Sequence, residues 1–398
     1  MSTELPPGRW GEYPDTLADL LPWIGRALGV DAGRVSGTLP ELDAASAVLL
    51  LVDGLGDRQL DAYAHLAPTL AALRGPVLRA GFPTTTATSI TSLMRGEPAG
   101  EHGIIGYSFV PDAAARRHGP ARTLNILRWS LDSADGPSAY DVYPPSAVGP
   151  GGEGALAMLE RSGVRVFQVM PGDFRDTGFT TVASGTAGKH LPAKAPAEIR
   201  TGITTALTRA LPRSQWPRFV YAYLSDLDTA GHVHGPGSDP WCEALRTVDA
   251  LVADILTDLP SDVALVVTGD HGMLRAGKSI DLDAEPAFTS GVARIAGEAR
   301  VRHVYTLDGA TDEAADTWRE LLGDDALVAP REQVLAEHWY GPRIGDRTAP
   351  RIGDLVVVAR DRTVLTRPGA EPGESRMVGH HGGWTDDELL VPLLVGGR

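Results

Sequence analysis

Short apolar runs punctuate this chain: AVLLLV at 47–52, VRVFQVM at 164–170, FVYAYL at 219–224, VALVVT at 263–268, LVVVA at 355–359 and LLVPLLV at 389–395. They are rich in Val and Leu and do not alternate strictly with polar residues. That is the pattern of strands covered on both faces, as in a parallel sheet. Between them, apolar positions return with helical period in TLAALRG (69–75), ALAMLERSG (155–163), AEIRTGITTALTRAL (197–211) and WCEALRTVDALVADILTDL (241–259). The last puts Leu245, Val248, Leu251, Ile255 and Leu259 down one face. Strand–helix alternation of this kind predicts a doubly wound α/β fold with a mostly parallel sheet. Two regions break the rhythm. Residues 110–150, rich in Pro, Gly, Ala and Asp, read as loops or a small cap. Residues 275–350 hold a strand-like ARVRHVYTL (299–307) and a helical DEAADTWRELLG (312–323), which predicts a small inserted subdomain. The expectation is one domain over 1–398 carrying both insertions, with no internal repeat.

In open α/β sheets, ligands bind beyond the carboxyl ends of the strands, so the residues that follow each apolar run matter. Asp53 follows the first, in VDGLG. SDLDTAGHVHG, with Asp228 and His232, follows the third. GDHGM, with Asp270 and His271, follows the fourth, and GHHGGW, with His380 and His381, precedes the last. A single strand-end Asp is usually a helix cap or turn former, and a His pair is often just part of a loop. A parallel sheet, however, brings these positions to one edge, where so many Asp and His side chains are poorly solvated or mutually repulsive without cations. Oxygen and imidazole donors without thiolate suit two zinc ions, with manganese as the second choice.

Composition narrows the partners. The chain has 398 residues and a formal charge of −15, which argues against a polyanion such as DNA as main partner. A small phosphorylated substrate remains compatible, since bound metal can reverse the local field. Cys242 is the only cysteine, so there is no intramolecular disulfide and no Cys-based zinc finger. The start, MSTELPPGRWGEYPD, lacks a basic region followed by an apolar stretch. No segment approaches the roughly 18 apolar residues of a membrane span. The expectation is a cytoplasmic protein without a membrane partner, its oligomeric state open.

The stretch FPTTTATSITSLMRG (82–96) crowds hydroxyls ahead of a short apolar run. Taken alone it reads as a Thr-rich strand edge, an N-cap cluster, or the seat of a nucleophile. With VDGLG, FPTTTATSITSLMRGEPAGEHGIIG, DLDTAGHVHGPGS, TGDHGM and HHGGW in this order, the chain resembles the type I phosphodiesterase/nucleotide pyrophosphatase branch of the alkaline phosphatase superfamily. The resemblance implies an alkaline-phosphatase-like fold and two zinc sites. Asp228, His232 and His381 would hold one ion; Asp53, Asp270 and His271 would hold the other. It favours His381 over His380 because the family's ligand directly precedes a glycine, here Gly382, and it leaves His234 outside the site. It also implies that Thr86 is the nucleophile, with Thr84, Thr85 and Thr88 shaping the turn.

This sequence departs from the family pattern at two places. Ser89 stands where the family commonly has an Asn that donates to the phosphate, and Leu227 where it often has Pro. Ser89, with a shorter side chain and one donor, is expected to contact the phosphate more weakly or through water, and Tyr223, five residues before Asp228, to stack a nucleobase unless it is packed in the core. His102, in EHGIIG, reads as packing or orienting a loop. The activity implied is hydrolysis of a small phosphodiester or nucleotide pyrophosphate through a phospho-threonine intermediate. Phosphonoacetate-hydrolase-like and phosphomonoesterase chemistry share the same motifs and stay open, as does a non-catalytic metal- or nucleotide-binding role. A sulfatase is set aside, because Cys242 lies in WCEALR without the sequence that matures into formylglycine.

Overall fold

The first apolar run forms the central strand of the molecule, and its side chains divide between two cores. In the computed structural model, Ala47, Leu49 and Leu51 of β1 (Ser46–Val52) enter one core, and Val48, Leu50 and Val52 enter another on the opposite face. A strand buried on both faces needs no polar positions, which is why the run is continuous rather than alternating. The structure describes residues 14–35, 37–111, 122–208 and 217–397. Residues 1–13 of the N-terminal reading, 112–121 of the predicted cap and 209–211 of the predicted helix lie outside them.

Six further strands complete the sheet: β2 (Arg74–Arg79), β3 (Arg165–Met170), β4 (Lys189–Pro192), β5 (Arg218–Leu224), β6 (Val263–Thr268) and β11 (Leu390–Gly396). Their order is β2-β11-β6-β1-β5-β3-β4. β1 pairs in parallel with β5 and β6, and β3 with β4 and β5, while β11 runs antiparallel to both neighbours. One face is covered by α1 (Leu17–Ala27), α2 (Thr86–Arg95) and α3 (Ala155–Arg161) through Leu20, Ile24, Leu93 and Leu159. The other is covered by α5 (Pro196–Thr208) and α7 (Asp239–Asp258) through Ile199, Ile203, Leu245, Val248 and Ile255. Two shorter helices, α4 (Gly178–Ser184) and α6 (Asp226–His234), stand at the carboxyl edge.

The run at 355–359 is not part of this sheet. It is β10 (Leu355–Ala359) of a separate antiparallel sheet with β7 (Val292–Glu298), β8 (Val301–Thr306) and β9 (Ala326–Pro330), in the order β7-β8-β10-β9. This sheet is also covered: Trp318 and Leu322 of α8 (Thr311–Leu322) pack with Val304, Val328 and Val357 on one side. On the other, Val301, Val356 and Val358 pack with Phe82, Trp339 and Tyr340. Burial on both faces erases the alternation that would otherwise mark an antiparallel strand. For the same reason β11 gave no sign of its reversed direction. The 69–75 run is also split, into a helix at Pro68–Ala72 and the start of β2. Among the described residues, no helix is long and apolar enough to cross a membrane.

Candidate active site

The carboxyl ends of β1, β5 and β6 carry Asp53, Asp228 and the Asp270–His271 pair to one point, where the loop before β11 adds His381. His271 Nε2 lies 3.5 Å from Asp53 Oδ1 and 3.5 Å from Asp270 Oδ2. His232 Nε2 lies 3.4 Å from Asp228 Oδ2 and 3.2 Å from His381 Nε2. Donor atoms of Asp53, Asp270 and His271 lie within 4.8 Å of one another, as do those of Asp228, His271 and His381. His271 therefore stands between the two groups, its ring stacked on that of His381 with centroids 3.6 Å apart.

Backbone geometry brings the groups this close. Gly54 has φ 74°, and a Cβ there would lie 3.0 Å from Asp228 Cα, so only glycine allows β1 to turn beside α6. Its N–H donates to Asp270 Oδ1 at 3.1 Å, as does His271 N–H. The Tyr223 hydroxyl donates to Asp53 Oδ2. Each of these two carboxylates thus has one oxygen held by the protein and the other, Asp53 Oδ1 and Asp270 Oδ2, buried without a partner; Asp228 Oδ1 is likewise unpartnered.

The histidines follow the same plan. His232 Nδ1 lies 2.9 Å from the Gly379 carbonyl, His271 Nδ1 3.0 Å from that of Gly272, and His381 Nδ1 2.9 Å from that of Thr84. A carbonyl only accepts, so each Nδ1 carries the proton and each Nε2 turns its lone pair to the cluster. Three imidazole lone pairs and three unpartnered carboxylate oxygens in one place form a donor set for divalent cations. The electrostatics agree. Burial and the charges of Asp270 and Asp228 hold the Asp53 carboxyl well above its usual range. Burial and the neighbouring His271 and His232 hold His381 well below its own.

His380 is turned away, its Nε2 3.0 Å from the Met377 carbonyl, and His234 is exposed. His102 is buried between Ser92 Oγ (2.9 Å) and the Ile104 N–H (3.1 Å). Burial, then Arg95 and Arg351, lower its pKa to about 3; it is a neutral internal prop for the loop that follows α2.

The hydroxyl cluster splits into separate tasks. Thr84 clamps the His381 loop, with its Oγ1 donating to the Gly383 carbonyl at 2.7 Å and accepting from the Gly382 N–H at 3.0 Å. Thr85 is the N-cap residue of α2 and Thr86 its first helical residue. Thr86 Oγ1 lies 3.1 Å from His271 Nε2. Thr88 Oγ1 donates to the Ile104 carbonyl at 3.2 Å. Thr86, Ile90 and Met94, spaced four apart, line a cleft of about 440 Å³ above the cluster.

Two expectations change here. Ser89 falls off that helical stripe; it is fully buried, its Oγ has no partner, and it does not line the cleft. Its place on the helix aims it inward, away from the cleft. Tyr223 borders the cleft but is only 7% exposed, and its hydroxyl is engaged by Asp53. It orients a carboxylate instead of offering a face to a base. The exposed aromatic is Phe174, 40% accessible, with its ring centroid 5.9 Å from that of Tyr223. Sequence reasoning missed Phe174, although it follows a strand end in MPGDF, and it missed Glu298, which reaches the cleft from the second sheet. Met170, Phe179 and Ala183 extend the cleft into an apolar chamber.

A family model described as type I phosphodiesterase / nucleotide pyrophosphatase matches residues 47–384. The chain is 43% identical to the mouse protein ectonucleotide pyrophosphatase/phosphodiesterase family member 1 over 68 residues, which is 16% of this chain and 8% of that protein. It is 30% identical over 79 residues to the catalytic subunit of human GPI ethanolamine phosphate transferase 3, 20% of this chain and 7% of that one. The chain thus matches less than a tenth of the length of these curated relatives. Among solved structures, murine ectonucleotide pyrophosphatase/phosphodiesterase 5 superposes with a TM-score of 0.66 at 16% identity, covering 89% of this chain and 88% of that one. An inactive threonine-to-alanine variant of that protein, in complex with AMP, superposes equally well. The fold is therefore alkaline-phosphatase-like: a mostly parallel sheet with helices on both faces.

Proposed function

This chain belongs to the type I phosphodiesterase / nucleotide pyrophosphatase family, and on that premise we propose that it is a metal-dependent hydrolase that cleaves a small phosphodiester or nucleotide pyrophosphate at Thr86. The observation that carries this reading is the Thr86 hydroxyl at the head of α2, 3.1 Å from His271 Nε2 and beside the unpartnered carboxylate oxygens. Asp228, His232 and His381 would hold one divalent ion, and Asp53, Asp270 and His271 the other, zinc being the metal these donors suit best. When bound, such ions supply Lewis-acid charge that lowers the pKa of a nearby hydroxyl and neutralises phosphoryl oxygens.

The chain's own residues do the rest. Thr86 releases its proton to solvent, and its Oγ1 bonds to phosphorus as the bond to the leaving alcohol or phosphate breaks. Thr85 and Thr86 bring the head of α2 to the cleft, where the positive end of the helix favours the negative charge of the phosphoryl group. Water then attacks phosphorus, and the P–Oγ1 bond breaks as Thr86 regains a proton. Phe174 and the chamber wall of Ile90, Met94, Met170 and Phe179 take the organic group and keep water from it. A small nucleotide fits this division into a polar end and an apolar chamber, in keeping with the AMP held by a relative of the same fold.

The test pairs a chromogenic diester with a chromogenic monoester, offered to zinc-loaded wild-type protein and to Thr86→Ala. The expected result is faster diester cleavage, lost by at least about 10³-fold in the variant, with the zinc content unchanged. Full activity in Thr86→Ala would remove the nucleophile assignment. Cleavage of neither ester by metal-loaded wild type would favour phosphonate chemistry or a binding role.

A further inference from the structure

Outside the Asp/His cluster, the cleft is lined by the carboxyl groups of Glu298, Glu371 and Glu374. Glu371 is paired with Arg302 at 2.8 Å, and Glu374 accepts from the Tyr107 hydroxyl at 3.0 Å. Glu298 differs from both: its Oε1 is closed off from solvent and has no hydrogen-bond partner.

The position of Glu298 is built into the fold. It is the last residue of β7, opposite Val301 in the β7–β8 hairpin, and the hairpin leans on the loop that carries His381. That loop offers no side chain to obstruct it. A Cβ on Gly382 (φ 125°) would lie 2.8 Å from Glu298 Cγ. The Thr85 hydroxyl and the Tyr107 N–H interact with the same carboxyl. Thr85 immediately precedes Thr86, and Gly382 immediately follows His381. The carboxyl of Glu298 is thus wedged between the segment that carries the nucleophilic hydroxyl and the segment that carries a cluster histidine.

A carboxylate here would repel a phosphoester, whereas a carboxylic acid would present an O–H to it. The groups around Glu298 are Arg302 on β8, Tyr107 in the loop that follows α2, Tyr340, Glu388 in the helix at Asp386–Leu389, and Glu371 and Glu374 across the cleft. Burial dominates this set and pushes the Glu298 pKa up to about 8, against the downward pull of the Thr85 hydroxyl, Arg302 and the Tyr107 N–H.

We propose that Glu298 contacts the substrate directly, donating a hydrogen bond from its carboxylic acid to a non-bridging oxygen of the phosphoryl group at Thr86. It thereby provides the donor that Ser89, buried off the cleft, does not. This inference rests on the phosphoester reading of the same site and goes beyond it by naming a catalytic contact from the second sheet.

Inorganic phosphate, titrated calorimetrically at pH 6.5 into zinc-loaded wild type, Glu298→Gln and Glu298→Ala, reads the contact without turnover. Glu298→Ala is expected to weaken phosphate binding, and kcat/KM for the diester, by at least about tenfold, the loss typical of one charge-assisted hydrogen bond. Glu298→Gln still donates and stays within about threefold of wild type on the same reasoning. It is also expected to abolish a fall in kcat/KM above about pH 8, the fall expected of wild type as Glu298 ionises. Unchanged phosphate binding in Glu298→Ala, or equal losses in both variants, overturns the proposal. If wild type binds phosphate through Glu298 yet cleaves neither ester, the hydrolase reading fails and the contact stands. If wild type cleaves the diester and Glu298→Ala matches it, the contact fails and the hydrolase reading stands. Absence of both phosphate binding and ester cleavage in wild type removes both.

Discussion

Neighbouring histidines in GHHGGW meet different surroundings, and that contrast sets what each can do. His381 donates its Nδ1 proton to the Thr84 carbonyl and turns Nε2 to the cluster, whereas His380 spends Nε2 on the Met377 carbonyl. His381→Ala is therefore expected to lower the bound zinc from two ions toward one per chain. His380→Ala is expected to keep two ions, at a stability cost of about 1–3 kcal/mol for the buried carbonyl left unpaired. Metal content after gel filtration, measured beside a melting curve, checks both. Equal zinc loss in the two variants would remove the assignment of His381.

The β7–β8 hairpin and the His381 loop hold each other in place through one buried ion pair. Arg300 Nε and Nη2 lie 2.9 Å from the two oxygens of Glu388, which also accepts from the Gly383 N–H at 2.8 Å and the Thr385 hydroxyl at 2.7 Å. Burial pushes the Glu388 carboxyl up, but Arg300, Thr385 and Gly383 pull harder, and the net result lies below its usual value. A carboxyl depressed in the folded state contributes stability that is present above its unfolded pKa of about 4.3 and is lost as pH falls through the folded value. Glu388→Gln is expected to cost about 3–5 kcal/mol at pH 7, because it strands Arg300. It is also expected to flatten the loss of stability on acidification below about pH 5. Urea melts at stepped pH would show this; parallel curves for wild type and variant would exclude it. Since the pair anchors both Glu298 and the His381 loop, the variant is also the place where stability and activity should fall together.

At the scale of the whole molecule, two cores flank the main sheet and a further pair flank the second sheet, so the edge that carries the Asp/His cluster is framed by packed layers. Two buried carboxylates, Asp53 and Asp270, and the half-buried Asp228 are drawn together there, each with an oxygen unpartnered, an arrangement that opposes folding unless cations offset it. Ions that bind only the folded chain stabilise it by about 2.7 kcal/mol each when free metal exceeds the dissociation constant a hundredfold. Stripping metal with a chelator should therefore lower Tm by several degrees, and zinc should restore it. Identical melting with and without zinc would mean that the cluster does not hold ions in the folded state. A bound metal pair would make the cleft locally attractive to a small phosphoester in spite of the formal charge of −15.

The residue pattern alone determined the layered sheet, because strands buried on both faces must be largely apolar, as β1, β5 and β6 are, with only the buried Gln168 interrupting β3. It also determined that Asp53, Asp228, Asp270 and His271 share an edge, since parallel strands end on the same side. Which sheet a buried strand joins was left to the tertiary structure. LVVVA at 355–359 reads like β6 but pairs antiparallel in the second sheet, since burial on two faces carries no record of neighbour or direction. Side-chain aim was likewise decided in three dimensions. Ser89 and Thr86 lie three residues apart on one helix, and only the packing of α2 shows that one faces the core and the other faces His271. Glu298 had no local signal at all, because its place beside Thr85 depends on a hairpin docked against a loop more than eighty residues further along the chain. Periodicity records how deeply a residue is buried; contact between distant segments is set by how the layers close on one another.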